Sequence, residues 1–210
     1  KLQDEWFDEL AAFAEAHPVS PEAAEALLQL AFRDEFEGRD ADAITRYNQI
    51  VNSFPDTPQA RKSAGAIRRL ESVGKPLPLS GTSLDGKKVS VASLKGGPVL
   101  VHFWSTDCEP CKVDLAQIRE LLAKYGPQKF SCLGVAVDSD RAKLVKFLAG
   151  KPLPWPQLYE EGGLDGRLAE ELGILALPTM MLLDADGNVV DRSISITELD
   201  RKIAALLGGK

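Results

Sequence analysis

Sulfur-containing and imidazole side chains are scarce in this chain: its 210 residues include three Cys, two Met and two His. So few cysteines exclude a scaffold held together by several disulfides. No apolar run approaches the roughly 18 residues of a membrane-spanning helix. A formal net charge of −6 without a basic block argues against a nucleic-acid partner. What remains is a globular composition, long enough for one large domain or two small ones.

The start of the sequence is unusual in two respects. It begins with Lys1 rather than Met, so removal of a signal or anchor segment is an open expectation. Residues 1–42 hold twelve acidic residues against three basic ones, whereas residues 43–75 hold six basic residues against two acidic ones. This uneven distribution of charge has two open interpretations. It is typical of solvated helix faces, and it is also typical of a docking surface with an electric field of one dominant direction.

Apolar residues in the first 74 positions recur at helical spacing. Trp6, Leu10 and Phe13 fall on one face of a first helix. Three further amphipathic runs follow, and short connections between helices favour antiparallel hairpins. These runs begin behind Ser20-Pro21, Asp40 and Thr57-Pro58. The sequence therefore predicts an all-α domain of helical hairpins over residues 1–74.

One stretch of this domain resembles the second helix of a tetratricopeptide repeat. Gly38, Ala43, Tyr47 and Pro55 stand at the spacing of that helix and its closing proline. At most one and a half repeats fit before residue 70, too few for the usual concave peptide groove. A structural or dimerising appendage and a partner-binding arm are the two interpretations of this TPR-like segment.

The pattern changes from Lys75, where short strands begin to alternate with helices. Lys88–Val91 after the turn at Asp85-Gly86 predicts a hairpin. The alternation predicts an α/β domain over residues 75–210, with a mixed central sheet flanked by helices. Its predicted strands are Val99–Trp104, Phe130–Val137, Gln157–Tyr159, Thr179–Leu183 and Val189–Ser193, and its predicted helices are Cys111–Lys124, Arg141–Leu148, Leu164–Leu172 and Glu198–Leu207.

Two of the three cysteines stand where a predicted strand gives way to a predicted helix. Cys108 and Cys111 are separated by two residues, a spacing that lets a disulfide form and reopen with little backbone movement. The helix N-terminus favours a thiolate at Cys108, and Cys111, one turn later, is the natural resolving thiol. A zinc site with Cys132 and His102, a purely structural disulfide and an unused motif are the alternatives.

The run from Pro98 to Cys111, the later Leu177-Pro178-Thr179 and the segment Leu183–Gly187 resemble thioredoxin-fold proteins of the TlpA/ResA-like family. The resemblance extends from about Lys75 to Leu207. It implies a thioredoxin-like fold and an extracytoplasmic, often membrane-tethered thiol–disulfide oxidoreductase that reduces disulfides of partner proteins. It implies no metal or organic cofactor, because the electrons come from an upstream dithiol donor.

The resemblance also implies roles for single residues. Cys108 becomes the nucleophile and Cys111 the buried resolving thiol. Pro178 matches the cis proline that faces the pair in this fold, and Leu177 before it offers backbone groups to an extended substrate. Asp114 stands where this family commonly carries Glu, one turn after Cys111, and there it would exchange a proton with that thiol. A solvated helix acid is the alternative interpretation of Asp114.

The chain departs from the family immediately before the first cysteine. Family members usually carry Trp there, and this chain has Asp107, with Glu109 on the other side of Cys108. Two carboxylates, offset only by Lys112 nearby in sequence, should raise the pKa of Cys108. We therefore expect a reductant that is slow at neutral pH. Capping of the helix by Asp107 is an additional, compatible interpretation.

The second departure is His102, six residues before Cys108, where thioredoxins often carry a buried acid. Beneath the cysteine pair it would act as a proton carrier with a pKa closer to neutrality than that of a thiol, and a satisfied core histidine is the alternative. The third cysteine, Cys132, lies in an apolar strand and is expected to be a small buried side chain. The rival function to disulfide reduction is a scaffold whose helical arm binds partners or dimerises and whose redox motif is weakened by Asp107.

Overall fold

The computed structural model describes residues 2–208 and begins with four helices. Ser20 and Thr57 cap the second and fourth of them: each side chain accepts a hydrogen bond from the backbone N–H three residues later, and a proline occupies the first helical position. The predicted helix starts at these two residues are therefore confirmed. The helices are α1 (Leu2–Ala16), α2 (Pro21–Phe36), α3 (Asp40–Ser53) and α4 (Pro58–Leu70).

The apolar face predicted for α1 is only partly covered. Trp6 is 50% exposed and Phe13 is 37% exposed, whereas the small Ala14 is buried. The reason is that α1 packs mainly against one neighbour, α2. A helix with a single neighbour buries only a narrow stripe of side chains, so two of its aromatic rings remain accessible.

The helices belong to a compact unit that runs to Glu71 and also includes the distant segment Glu170–Leu175. Ala43, Tyr47 and Ile50 of α3 are fully buried in its core. Leu175 packs against the same core from the added segment. The boundary between residues 74 and 75 and the TPR-like character of the helices remain predictions.

The second unit comprises Ser72–Ala169 and continues from Ala176. A two-stranded hairpin joins β1 (Ser80–Thr82) to β2 (Lys88–Ser90), as the Asp-Gly turn predicts. The main sheet is mixed: its first three strands in chain order run parallel to one another, the fourth pairs antiparallel with the first, and the fifth pairs antiparallel with the fourth. Its strands, in spatial order, are β5 (Gln157–Tyr159), β4 (Ser131–Ala136), β3 (Val99–Trp104), β6 (Thr179–Leu183) and β7 (Val189–Asp191).

Four helices flank this sheet, and three of them are close to prediction. The predicted helix Leu164–Leu172 is the exception, because only one helical turn forms there. Gly166 before that turn and Gly173 after it, the latter with a positive φ, interrupt the helical backbone. The helices are α5 (Glu109–Tyr125), α6 (Arg141–Gly150), α7 (Arg167–Glu170) and α8 (Ile196–Gly208).

One face of the sheet carries the core beneath the cysteine motif. Leu100 and Trp104 of β3 pack in a hydrophobic cluster with Cys111, Leu115 and Ile118 of α5, which we call the α5 cluster. Side chains alternate along a strand, so the residue midway between Leu100 and Trp104 faces the same side. Within residues 2–208, none of the helices combines the length and apolar character that a bilayer crossing requires.

Candidate active site

The two cysteines of the motif are joined at the start of α5. Strand β3 ends at Trp104, three residues turn the chain, and Cys108 then occupies the N-cap position of the helix. Its sulfur accepts a hydrogen bond from the backbone N–H of Cys111 at 3.1 Å. A disulfide links Cys108 to Cys111, whose Cα atoms are 5.2 Å apart. After reduction the same N–H, at the positive end of the helix dipole, would favour a thiolate at Cys108.

The two sulfurs differ in access. Cys108 is half-buried and packs at the margin of the α5 cluster, whereas Cys111 is fully buried within it. Thiol–disulfide exchange requires the attacking sulfur to reach a partner disulfide. Only Cys108 of this pair has that access, and Cys111 can reach a sulfur bonded to Cys108 because it already lies beside it.

A buried carboxylate fixes the turn that leads to Cys108. Asp138, two residues after the end of β4, accepts hydrogen bonds from the backbone N–H of Thr106 at 2.9 Å and from its hydroxyl. Asp138 is not among the predicted site residues. A signal was present: the carboxyl ends of neighbouring parallel strands meet at one edge of a sheet, and Asp138 follows the strand next to β3.

Each acid beside Cys108 is paired with a lysine. Lys112 donates to Glu109 at 2.6 Å, and Lys143 of α6 donates to Asp107. Lys112 is the base nearby in sequence, as expected, and Lys143 adds a second positive charge because it reaches Asp107 from another helix. Capping by Asp107 is wrong, since the N-cap residue is Cys108.

Asp114 is one helical turn beyond Cys111 and is 6% exposed. Burial raises the pKa of this carboxyl group. Among the described residues it has no hydrogen-bond or ion-pair partner. The alternative of a solvated helix acid does not fit this burial.

His102 occupies the position between Leu100 and Trp104 and therefore faces the α5 cluster. It is fully buried, and neither ring nitrogen has a hydrogen-bond partner within residues 2–208. Burial lowers the pKa of His102 to about 3. The prediction of a pKa closer to neutrality than that of a thiol is therefore wrong: desolvation penalises the imidazolium, and no carboxylate of the described residues offsets it. His102 is a core histidine, but its ring nitrogens are not satisfied as the alternative supposed.

The proline loop lies just before β6. The peptide bond between Leu177 and Pro178 is cis, the isomer that the resemblance implies. Leu177 packs at the margin of the α5 cluster, as Cys108 does. The hydroxyl of Thr179 donates to the carbonyl of Ala176 at 2.8 Å and closes the loop. Cys132, as expected, is buried in β4, and burial raises the pKa of its thiol.

Comparison with known proteins gives a consistent result. Residues 54–205 match the Redoxin family. The thiol-disulfide oxidoreductase ResA of Bacillus anthracis is 31% identical over 113 residues, which are 54% of this chain and 64% of that protein. The thiol:disulfide interchange protein DsbE of Pseudomonas aeruginosa is 28% identical over 134 residues, 62% of this chain and 70% of that protein. The match thus spans less than two thirds of the length of the Bacillus ResA proteins.

A solved structure agrees with these relatives. The thiol-disulfide oxidoreductase from Bacteroides fragilis is 29% identical, has a TM-score of 0.56, and the match covers 61% of this chain and 96% of that one. The predicted thioredoxin-like fold, a mixed sheet flanked by helices and preceded by a helical segment, is confirmed, and so is the resemblance to TlpA/ResA-like proteins.

Proposed function

The chain belongs to the Redoxin family, and from that premise we propose that it is a thiol–disulfide oxidoreductase that reduces disulfides of partner proteins through Cys108 and Cys111. The observation that carries the proposal is the unequal access of the two sulfurs. Cys108 is accessible at a helix N-cap, whereas Cys111 is buried one turn away. An attacking thiol and a resolving thiol require this arrangement.

The proposed reaction proceeds in two exchanges. The thiolate of Cys108 attacks one sulfur of the partner disulfide, forms a mixed disulfide and releases the other partner sulfur as a thiolate, which takes up a proton. Cys111 then loses its proton to the carboxylate of Asp114 and attacks the sulfur of Cys108. The second partner thiol leaves, and the Cys108–Cys111 disulfide is formed. An upstream dithiol donor returns the two electrons.

The substrate segment is proposed to bind in an extended form at Leu177 and Pro178. In strand addition, an extended segment pairs its backbone with exposed backbone N–H and C=O groups of the binding protein. The support is that Leu177 and Cys108 pack at the margin of the same hydrophobic cluster. His102, Asp107 and Glu109 are proposed to tune the pKa of the pair rather than to react.

The family resemblance supports three further proposals. We propose that the chain acts as a reductant and that its location is extracytoplasmic. We also propose that residues 1–74 form a helical domain and residues 75–210 a redox domain.

A fourth proposal is that residues 1–74 mediate self-association. It is supported by the exposed Trp6 and Phe13, two aromatic residues two turns apart on one face of α1.

Reduction of insulin by the prereduced protein tests the function. We expect turnover that depends on a dithiol donor, loss of turnover in Cys108→Ser, and a trapped mixed disulfide on Cys108 in Cys111→Ser. Cys132→Ser is the matched control and should retain turnover. If the wild type cleaves no insulin disulfide and Cys111→Ser traps nothing, the scaffold interpretation replaces the enzyme.

A further inference from the structure

One buried side chain of α4 holds a segment from far along the chain. The guanidinium of Arg69 donates to the carbonyl of Leu172 at 2.9 Å and to that of Gly173 at 3.3 Å. Arg69 also donates two hydrogen bonds to the carboxylate of Glu35, at 2.6 and 3.0 Å. Glu35 in turn accepts a hydrogen bond from Tyr47 at 3.2 Å. The guanidinium is thus oriented by a bidentate ion pair and uses its remaining donors on the segment.

The backbone of α4 also lies directly on this segment. A Cβ atom on Gly65 would be 2.0 Å from the carbonyl oxygen of Glu170. A Cβ atom on Gly173 would be 2.2 Å from the backbone nitrogen of Ala66. Two glycines face each other here, so helix and segment approach more closely than any other residue pair allows. Leu175, the last residue of the segment, packs against the core of the helical unit.

The held segment continues directly into the proposed substrate loop. Three residues, Ala176, Leu177 and Pro178, separate Leu175 from the first residue of β6. The loop is therefore fixed at one end by the sheet ladder and at the other by the packing of Leu175 and the hydrogen bonds of Arg69. A loop anchored at both ends loses less conformational entropy when it binds a substrate.

We propose that Arg69 and Gly65 are positioning residues for substrate binding: α4 clamps the segment Glu170–Leu175 and thereby preorganises the loop at Leu177-Pro178. The inference deepens the proposed function and rests on it. It assigns the helical unit a role in the affinity for the substrate protein and none in the redox step. Neither Arg69 nor Gly65 would touch the substrate or the reacting sulfurs.

Two variants weaken the clamp in different ways. Arg69→Lys keeps a positive charge for Glu35 but removes the planar fork that reaches the two carbonyl groups. Gly65→Ala keeps every charge and favours helix formation, but its methyl group forces α4 away from the segment. The matched controls are Arg46→Lys, which alters an ion pair to the buried Asp34, and Gly150→Ala, at a helical glycine with open space around it.

The test combines kinetics with hydrogen exchange. In Arg69→Lys and Gly65→Ala we expect KM for insulin to rise about fivefold with kcat and the reduction potential of the cysteine pair unchanged. Amide exchange over residues 172–179 should accelerate in both variants and in neither control. An unchanged KM, or unchanged exchange in a folded Gly65→Ala protein, overturns the clamp. An inactive wild type overturns the proposed function instead, and the exchange measurement still decides whether the segment is held.

Discussion

Lys143 donates a hydrogen bond to the carboxylate of Asp107, the residue immediately before the proposed nucleophile. The lysine comes from α6, 36 residues further along the chain. Asp107 occupies the place of an aromatic residue in the family that the chain resembles, and its charge alone would oppose a thiolate at Cys108. With Lys143 beside it, the local charge is balanced. The pair is exposed, so its contribution to the stability of the fold is small.

This pair leads to a prediction about the nucleophile. Lys143→Gln should raise the pKa of Cys108 by about half a unit, because Asp107 is then left without a counter-charge. Asp107→Asn should lower that pKa by a similar amount. Thiolate absorbance in the reduced protein measures both changes. Lys146→Gln removes an exposed lysine from the same helix and should have no effect. A lower pKa in Lys143→Gln would contradict the argument.

Sequence patterns predicted much of the sheet but little of the charge around the site. The strand Val99–Trp104 has the predicted bounds because a run that is apolar except for His102 ends at polar residues. The disulfide partners Cys108 and Cys111 also follow from local spacing. Lys143 and Asp138, in contrast, come from other elements, and nothing in a local pattern states which side chains meet at the end of β3.

Two failures show where local patterns are weakest. The apolar spacing over Leu164–Leu172 fits a helix. Only one helical turn forms there, because Gly166 and Gly173 interrupt the helical backbone on either side of it. The aromatic residues of α1 have ideal helical spacing, yet the side chains of Trp6 and Phe13 are exposed to solvent. Periodicity identifies an apolar face but not whether another element covers it.

The effect of His102 on stability can be measured separately, because the sequence has one other histidine, His17. Burial lowers the pKa of His102 to about 3, whereas an unfolded histidine titrates near 6.5. Between these values the unfolded state binds more protons, so the free energy of unfolding falls as the pH drops below about 6.5. The slope from this residue is at most about 1.4 kcal/mol per pH unit.

His102→Leu should therefore flatten the pH dependence of stability. Between pH 7.5 and pH 5.5 we expect the variant to lose about 1 kcal/mol less free energy of unfolding than the wild type. Urea unfolding at the two values, followed by circular dichroism, provides the measurement. His17→Gln changes the exposed histidine and should keep the slope of the wild type. Equal slopes in His102→Leu and the wild type would show that His102 does not remain neutral on folding.

Self-association through the helical unit depends on the exposed face of α1. Trp6→Ser combined with Phe13→Ser should convert an associated wild type into a monomer, because removal of two aromatic rings eliminates the largest apolar contribution of that face. Light scattering after size exclusion reports the mass. Val190→Ser, an exposed apolar residue of β7, is the control and should leave the mass unchanged. A monomeric wild type at high concentration would rule this surface out as a dimer interface.

We expect Asp114 to lower the stability of the fold at neutral pH and to increase the rate of turnover. Burial raises the pKa of its carboxyl group, so the folded protein binds a proton there at pH values where the unfolded chain has released it. The stability contributed by Asp114 consequently decreases as the pH rises through this window, and at neutral pH the ionised carboxylate destabilises the fold. Asp114→Asn should therefore be more stable than the wild type at neutral pH.

The same substitution should slow the second exchange. Without a carboxylate to accept the proton of Cys111, release of a mixed disulfide from Cys108 should slow about a hundredfold. In the wild type this rate should fall as the pH drops through the raised pKa of Asp114, because a protonated carboxyl group accepts no proton. This decrease of the rate at low pH should be absent in Asp114→Asn. Single-turnover release of a labelled thiol measures it, with Glu120→Gln, an exposed acid of the same helix, as control. If Asp114→Asn is more stable but releases the thiol equally fast, and the rate still falls at low pH, Asp114 has only a structural role in the core. Cys111 would then lose its proton to water.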